Sequence, residues 1–180
     1  MKKIILFLFL ISSLFAEAKF YTGFGYGMYD ENFTDGNKAQ SSSSLIKLKA
    51  GYGDRSAYAI EFSIDKLKNE SNIFSSNDSD KTGLNIELIK AFDFDIYINP
   101  FFKAGFGAGY FKVDRELQDT LNYGSFNLGL GFFIPINEHF DLECTYDYKY
   151  ITYEAIDTIA KQISYKSHLN ALYFGFNVRF

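Results

Sequence analysis

The chain is written in a two-residue rhythm. At its C-terminal end Leu172, Phe174, Phe176, Val178 and Phe180 alternate with Tyr173, Gly175, Asn177 and Arg179. Successive side chains of an extended strand point to opposite faces, so this segment has one wholly apolar face and one that is mostly small or polar. Along Phe20 to Met28, Phe, Thr, Phe, Tyr and Met alternate with Tyr and three glycines. Ile46, Leu48, Ala50 and Tyr52 oppose Lys47, Lys49 and Gly51, and Tyr58, Ile60, Phe62 and Ile64 oppose Ala59, Glu61 and Ser63. Leu84, Ile86 and Leu88 face away from Asn85 and Glu87. The rhythm returns in Phe102 to Tyr110 against Lys103 and glycines, in Phe126 to Phe132 against Asn127, Gly129 and Gly131, and in Leu142 to Tyr148 against Glu143, Thr145 and Asp147. Eight strands are predicted.

Their connections alternate in length. Long polar stretches cover about Asp30–Ser43, Leu67–Lys81, Asp114–Asn122 and Glu154–Lys166. Short ones are Gly53–Arg55, about Asp93–Asp95, and Pro135–His139. Strict alternation implies antiparallel strands with both ends of the chain on the short-turn side. An even strand count, short turns on one side and longer loops on the other is the layout of an all-β, eight-stranded antiparallel up-and-down transmembrane β-barrel. Strand lengths of about 9–12 residues suit a tilted span. A soluble barrel shares the alternation but reverses its sense, with the apolar face inward. Glycine on the polar face, tyrosine towards the strand ends and a terminal aromatic residue favour the membrane form.

The N-terminus fits export. Lys2 and Lys3 precede an apolar run from Ile4 to Phe15, and Ala16-Glu17-Ala18 supplies a small-x-small cleavage pattern. Residues 1–18 are therefore predicted to be a signal peptide and residues 19–180 the barrel domain. The run is too short for a spanning helix, which needs about 20 residues. With Lys2, Lys3 and Glu17 removed from 18 basic and 22 acidic residues, the mature net charge is -5. That balance argues against a nucleic-acid partner, which would require a basic face. Cys144, the only cysteine, cannot form an internal disulfide.

The final strand, Leu172-x-Phe174-x-Phe176-x-Val178-Arg179-Phe180, resembles the C-terminal assembly signal of bacterial outer-membrane barrels. The Gly-rich Lys103 to Tyr110 is similar to the central strand of the small surface-barrel group that includes opacity-type and OmpX-like proteins. The resemblance extends over essentially the whole mature chain. It implies a bacterial outer-membrane location, outer-membrane lipid as solvent, a monomer, and recognition of the last strand by the barrel-insertion machinery. It is weak for activity, because one scaffold serves many tasks. The lack of tryptophan departs from the usual aromatic girdle, leaving tyrosine and phenylalanine to serve.

With apolar residues facing lipid, the interior is predicted to hold Lys47, Lys49, Lys103, Lys149 and Arg179 beside Glu61, Asp65, Glu87, Glu143 and Asp147. Five bases and five acids can pair. An eight-stranded barrel is just wide enough for side chains to fill it, so the expectation is a paired polar plug. Phe62, Leu88 and Leu130 should face lipid, and Leu130→Arg should cost more than Asn127→Arg inside. Lys90 breaks the pattern, by snorkelling at the short-turn end or through a bulge that resets parity. His139 and His168 are the only histidines. Ser164, Ser167, His168 and Glu154 lie close in sequence, but adjacent Ser167 and His168 point to opposite faces of a strand. No catalytic, cofactor or metal site is expected. Asn32, Asn69 and Asn77 head N-x-[ST] sequons assigned to the outer loops, and Asp30 before Asn32 resembles a longer acidic sequon of some bacterial glycosylation systems. The leading expectation is a structural and surface-interaction barrel displaying polar loops; a narrow channel and a lipid-modifying enzyme are the rivals.

Overall fold

The computed structural model describes residues 18–34, 40–68, 79–115, 118–157, 162–163 and 165–180. It contains β1 (Lys19–Phe33), β2 (Gln40–Gly53), β3 (Tyr58–Leu67), β4 (Lys81–Ala91), β5 (Asn99–Arg115), β6 (Gln118–Pro135), β7 (Phe140–Tyr153), β8 (Ile156–Asp157), β9 (Gln162–Ile163) and β10 (Lys166–Arg179). β1 to β7 and β10 close into one antiparallel barrel, with β1 and β10 forming the seam. β8 and β9 make a separate small ladder in the connection before β10. All eight predicted strands are present. Residues 1–17 of the predicted signal peptide lie outside the described residues.

The register fixes the geometry. Partners run Tyr21, Gly51, Glu61, Glu87, Gly105, Asn127, Lys149, Leu169 and back to Glu31 in β1. One circuit advances β1 by ten residues, a shear that tilts eight strands by about 40°. Each short turn folds around one Asx side chain that accepts backbone hydrogen bonds. Asp54 Oδ1 accepts from Ser56 N at 2.8 Å, Asp93 Oδ1 from Asp95 N at 2.9 Å, and Asn137 Oδ1 from His139 N at 2.8 Å.

Six of the eight barrel strands are longer than expected, at 14 to 18 residues, while β3 and β4 have 10 and 11. Most of the extra length lies on the long-loop side. β1 runs to Phe33 and β2 begins at Gln40, inside the predicted Asp30–Ser43 loop. β5 and β6 consume most of the predicted Asp114–Asn122 loop, with a register shift between Lys112 and Arg115. Above the apolar belt the ladder continues in water, where its outward side chains are polar: Asp30, Asn32, Ser42, Lys66, Lys112 and Asn122 are all exposed. Inside this outer extension sits an apolar core that includes Phe33, Leu45, Leu67, Leu121, Ile151 and Leu169. A second, smaller core of Tyr21, Ala59, Ile89, Ala91, Phe101 and Phe133 closes the short-turn end. Its Phe101 and Phe133 rings stack at 4.4 Å.

At membrane level the face assignment holds. Phe62, Leu88 and Leu130 are 55%, 66% and 63% exposed on the outer wall, whereas Glu61 and Glu87 are buried inside. Lys90 stays in register opposite Tyr58, so no bulge resets parity. Its Nζ lies 4.0 Å from the Tyr58 ring centroid at the short-turn rim. The tyrosines divide between two roles. Tyr52 and Tyr58 mark the short-turn rim of the outer wall, but Tyr21, Tyr29, Tyr123, Tyr153 and Tyr173 turn inward. A phenol suits the interior because its ring fills space while its hydroxyl meets a charge.

Candidate functional site

Parity carries every other residue of each strand into the lumen, and the ten charged residues expected there are all buried. They assemble in layers along the barrel axis. At the short-turn mouth Asp141 receives Arg179 Nε and, at 2.8 Å, Arg55 Nη1 from the β2–β3 turn. The Arg179 guanidinium lies over the Tyr21 ring at 4.8 Å. Next, Lys49 bonds Glu143 and lies 3.6 Å from Glu61, whose Oε2 also accepts from Tyr21 OH at 2.9 Å. Asn177 Nδ2 donates to Glu143 Oε2 at 3.0 Å.

The centre is built around Tyr173. Its hydroxyl accepts from Lys103 Nζ at 3.0 Å and donates to Glu143 Oε1 at 2.9 Å, joining two layers. Lys103 also reaches Glu87 at 3.0 Å and Asp147 at 3.1 Å. Lys47 donates to Asp147 at 2.9 Å and sits 4.7 Å from the Tyr173 centroid. Gly129 makes room here: a Cβ on it would lie 2.7 Å from Lys103 Cε and collide with Asp147. Above, Lys149 bonds Asp65 and, at 3.0 Å, Asn85 Oδ1, and Asn127 Nδ2 donates to that same oxygen at 2.9 Å. At the outer end Glu31 accepts from Lys81, Tyr153 and Ser167, the last at 2.6 Å.

Four charged members went unread in the sequence. Glu31, Lys81 and Asp141 keep the inward parity of their strands but lie beyond the strand ends that alternation predicts. Arg55 reaches in from a turn, where parity says nothing. With these four the network counts seven bases and seven acids. Buried charge is tolerated when it is paired and hydrogen-bonded, and these pairs span the barrel interior. The Lys47, Lys49 and Lys103 side chains are no more than 1% accessible. Apolar side chains pack around the network's two end layers, Phe33 and Tyr153 beside Lys81, and Tyr21 and Phe133 beside Arg179.

Ser167 and His168 do not come together. Ser167 faces inward onto Glu31 while His168 faces outward, its Nδ1 2.6 Å from Tyr148 OH. Glu154 Oε2 accepts from Asn122 Nδ2 at 2.9 Å. Ser164 lies outside the described residues. His139 is exposed in a short turn and Cys144 is half-buried on the outer wall. Among the described residues no group of three or more His, Cys, Asp and Glu could hold a metal ion. Asn32 is not in a loop: it pairs with His168 and Gln40 within the sheet, because β1 extends past it. Asn69 and Asn77 lie outside the described residues.

Known structures share this architecture. Neisserial surface protein A is 18% identical, with a TM-score of 0.66 over 91% of this chain and 99% of that one. Ail, the attachment invasion locus protein of Yersinia pestis, is 17% identical, with a TM-score of 0.52 over 89% and 98%. The outer membrane protein OprG of Pseudomonas aeruginosa is 14% identical, with a TM-score of 0.52 over 91% and 96%. No curated protein sequence matches the chain. The family described as the outer membrane protein beta-barrel domain matches residues 4–180. The closed antiparallel barrel agrees with that match, and the chain belongs to this family of bacterial outer-membrane barrels.

Proposed function

We propose that the protein is a non-conducting scaffold that holds a polar rim and outer loops at the bacterial surface for an external partner or for envelope integrity. The observation that supports this reading is the lumen: fourteen charged groups pair with one another through the barrel, and apolar cores pack around the two ends of the stack. Such a stack leaves side chains where a water column would run. The rigid wall below and the polar extension above suit a surface whose recognition resides in loops. The protein acts as a monomer without a catalytic step. Planar-bilayer recording on the purified barrel tests the scaffold: a silent bilayer is expected, and large, stable, reproducible steps would replace it with the channel reading. Incubation with purified membrane lipids tests the absence of catalysis, since acyl loss that disappears in His168→Ala would make the barrel an enzyme.

The C-terminal strand serves assembly. β10 closes the seam by pairing with β1 from Tyr21–Arg179 to Phe33–Ser167, and Phe180 N donates to Phe20 O at 2.9 Å. Its outward Phe174, Phe176 and Phe180 form the signal read by the insertion machinery. Deleting Phe180 should lower the heat-modifiable folded fraction in membranes while leaving export intact, and an unchanged folded fraction would refute the assignment.

A further inference from the structure

The β4–β5 connection differs from the other short turns. It reads Phe92-Asp93-Phe94-Asp95-Ile96-Tyr97-Ile98, and Phe94, Ile96 and Tyr97 are 60%, 54% and 94% exposed. Grouped exposed apolar side chains mark an interaction surface. Ring packing tells which way this one faces. Phe94 stacks on Phe92 at 6.1 Å with planes 7° apart, and Phe92 packs at 6.0 Å on Phe102, a member of the lipid-facing wall. The turn therefore folds outward along the apolar belt rather than beneath the lumen. Asp95, with φ of 56°, and the Asx bond from its N–H to Asp93 hold that path.

Lys90 lies beside it on the outer wall. Its Nζ is 4.0 Å from the Tyr58 centroid and 5.4 Å from that of Phe92, and it has no carboxylate partner among the described residues. β4 runs towards the short-turn side, so the ammonium sits nearer the hydrocarbon and the exposed carboxylates of Asp93 and Asp95 nearer water. A zwitterionic phospholipid headgroup has the complementary order, with phosphate beside the glycerol and ammonium outermost. We propose that Lys90, Asp93 and Asp95 seat the headgroup of one ethanolamine phospholipid of the inner leaflet, with an acyl chain against Phe92, Phe94 and Phe102. Lys90 binds the phosphate, and the two aspartates accept hydrogen bonds from the ethanolammonium. A choline headgroup offers those aspartates no N–H, and a glycerol headgroup no cation. The occupant follows from charge complementarity and from continuity with the lipid-facing wall.

Native mass spectrometry of the folded barrel in mild detergent, titrated with phosphatidylethanolamine or phosphatidylglycerol, tests the site. One tightly held phosphatidylethanolamine is expected. Lys90→Gln should weaken it about tenfold, the loss of one charge-assisted bond. Asp93→Asn with Asp95→Asn should erase the preference over phosphatidylglycerol while phosphate binding persists. Equal binding by the parent and Lys90→Gln would overturn the proposal. Phe94→Trp gives an independent readout, because the chain has no other tryptophan. In vesicles its emission should be quenched by lipids brominated near the headgroup. Water-exposed, unquenched emission from a barrel that folds by heat-modifiable migration would also overturn it, leaving the turn for a periplasmic protein.

Discussion

The barrel has two storeys built from the same strands, and they obey opposite rules. At membrane level the outer wall carries Phe24, Leu48 and Phe106 while the interior carries Lys47, Glu87 and Asp147. A few residues higher in those strands the wall carries Asp30, Ser42 and Lys112, and the interior Phe33, Leu45 and Val113. The pairing of β1 with β2 and with β10 is continuous across the change. What changes is the solvent. Beside hydrocarbon, burying apolar surface inside gains nothing, and the interior is free to be polar provided its charges pair. In water the hydrophobic effect returns and turns the pattern inside out. The upper storey is a short soluble barrel mounted on a membrane one.

The sharpest test of the contrast is to unbalance the lower interior. Lys103→Met removes one of the two cations that Glu87 and Asp147 share, leaving only Lys47 between them, and it should lower unfolding stability in vesicles by about 3–5 kcal/mol. Restoring neutrality with Asp147→Asn should recover part of that loss. On the lower outer wall, Leu130→Arg places a charge in lipid and should cost about 2–4 kcal/mol in the same denaturant titration. In the upper core, Leu169→Ala should cost about 2–3 kcal/mol by creating a cavity, as in a soluble protein. The smallest effect belongs to the upper outer wall, where Asn122→Arg should stay within about 0.5 kcal/mol. Comparable costs for Leu130→Arg and Asn122→Arg would mean that both storeys meet the same solvent, and the two-storey account would fail. Asn127→Arg is no longer a mild lumen control, because Asn127 is fully buried and bonded to Asn85.

This division explains which parts of the molecule could be read from sequence. Glycine facing phenylalanine along Phe102–Tyr110 announces a strand and its two faces with no knowledge of its neighbours. Tyr29-Asp30-Glu31-Asn32-Phe33 keeps the same period, but its polarity is reversed, so a reader of the lipid-facing pattern takes it for a loop. Glu31 escapes a sequence reading for that reason, Lys81 because Lys81-Thr82-Gly83 carries no apolar side chain on either face, and Asp141 because β7 starts two residues early. Tyr173 was placed on the inner face by its parity. Its role as the junction of Lys103, Lys47 and Glu143 depends on register around the barrel, which no single strand encodes. Arg55 was hidden by its turn.

Some lumen pairs join neighbouring strands, as Lys103 and Glu87 do across β4 and β5, but others join residues far apart in the chain: Lys47 and Asp147 are separated by 100 positions, Glu31 and Ser167 by 136. Neither of these last two contacts exists in a nascent hairpin. Until β10 meets β1, each inward charge lacks part of its counter-charge and both edge strands have unpaired backbone, a state that hydrocarbon penalises heavily. Loop-closure entropy must also be met before any cross-barrel pair forms. Closure and deep insertion are therefore coupled into one late step. The salt-bridge stack therefore also discriminates between registers, because a barrel closed in a slipped register would bury unmatched charges.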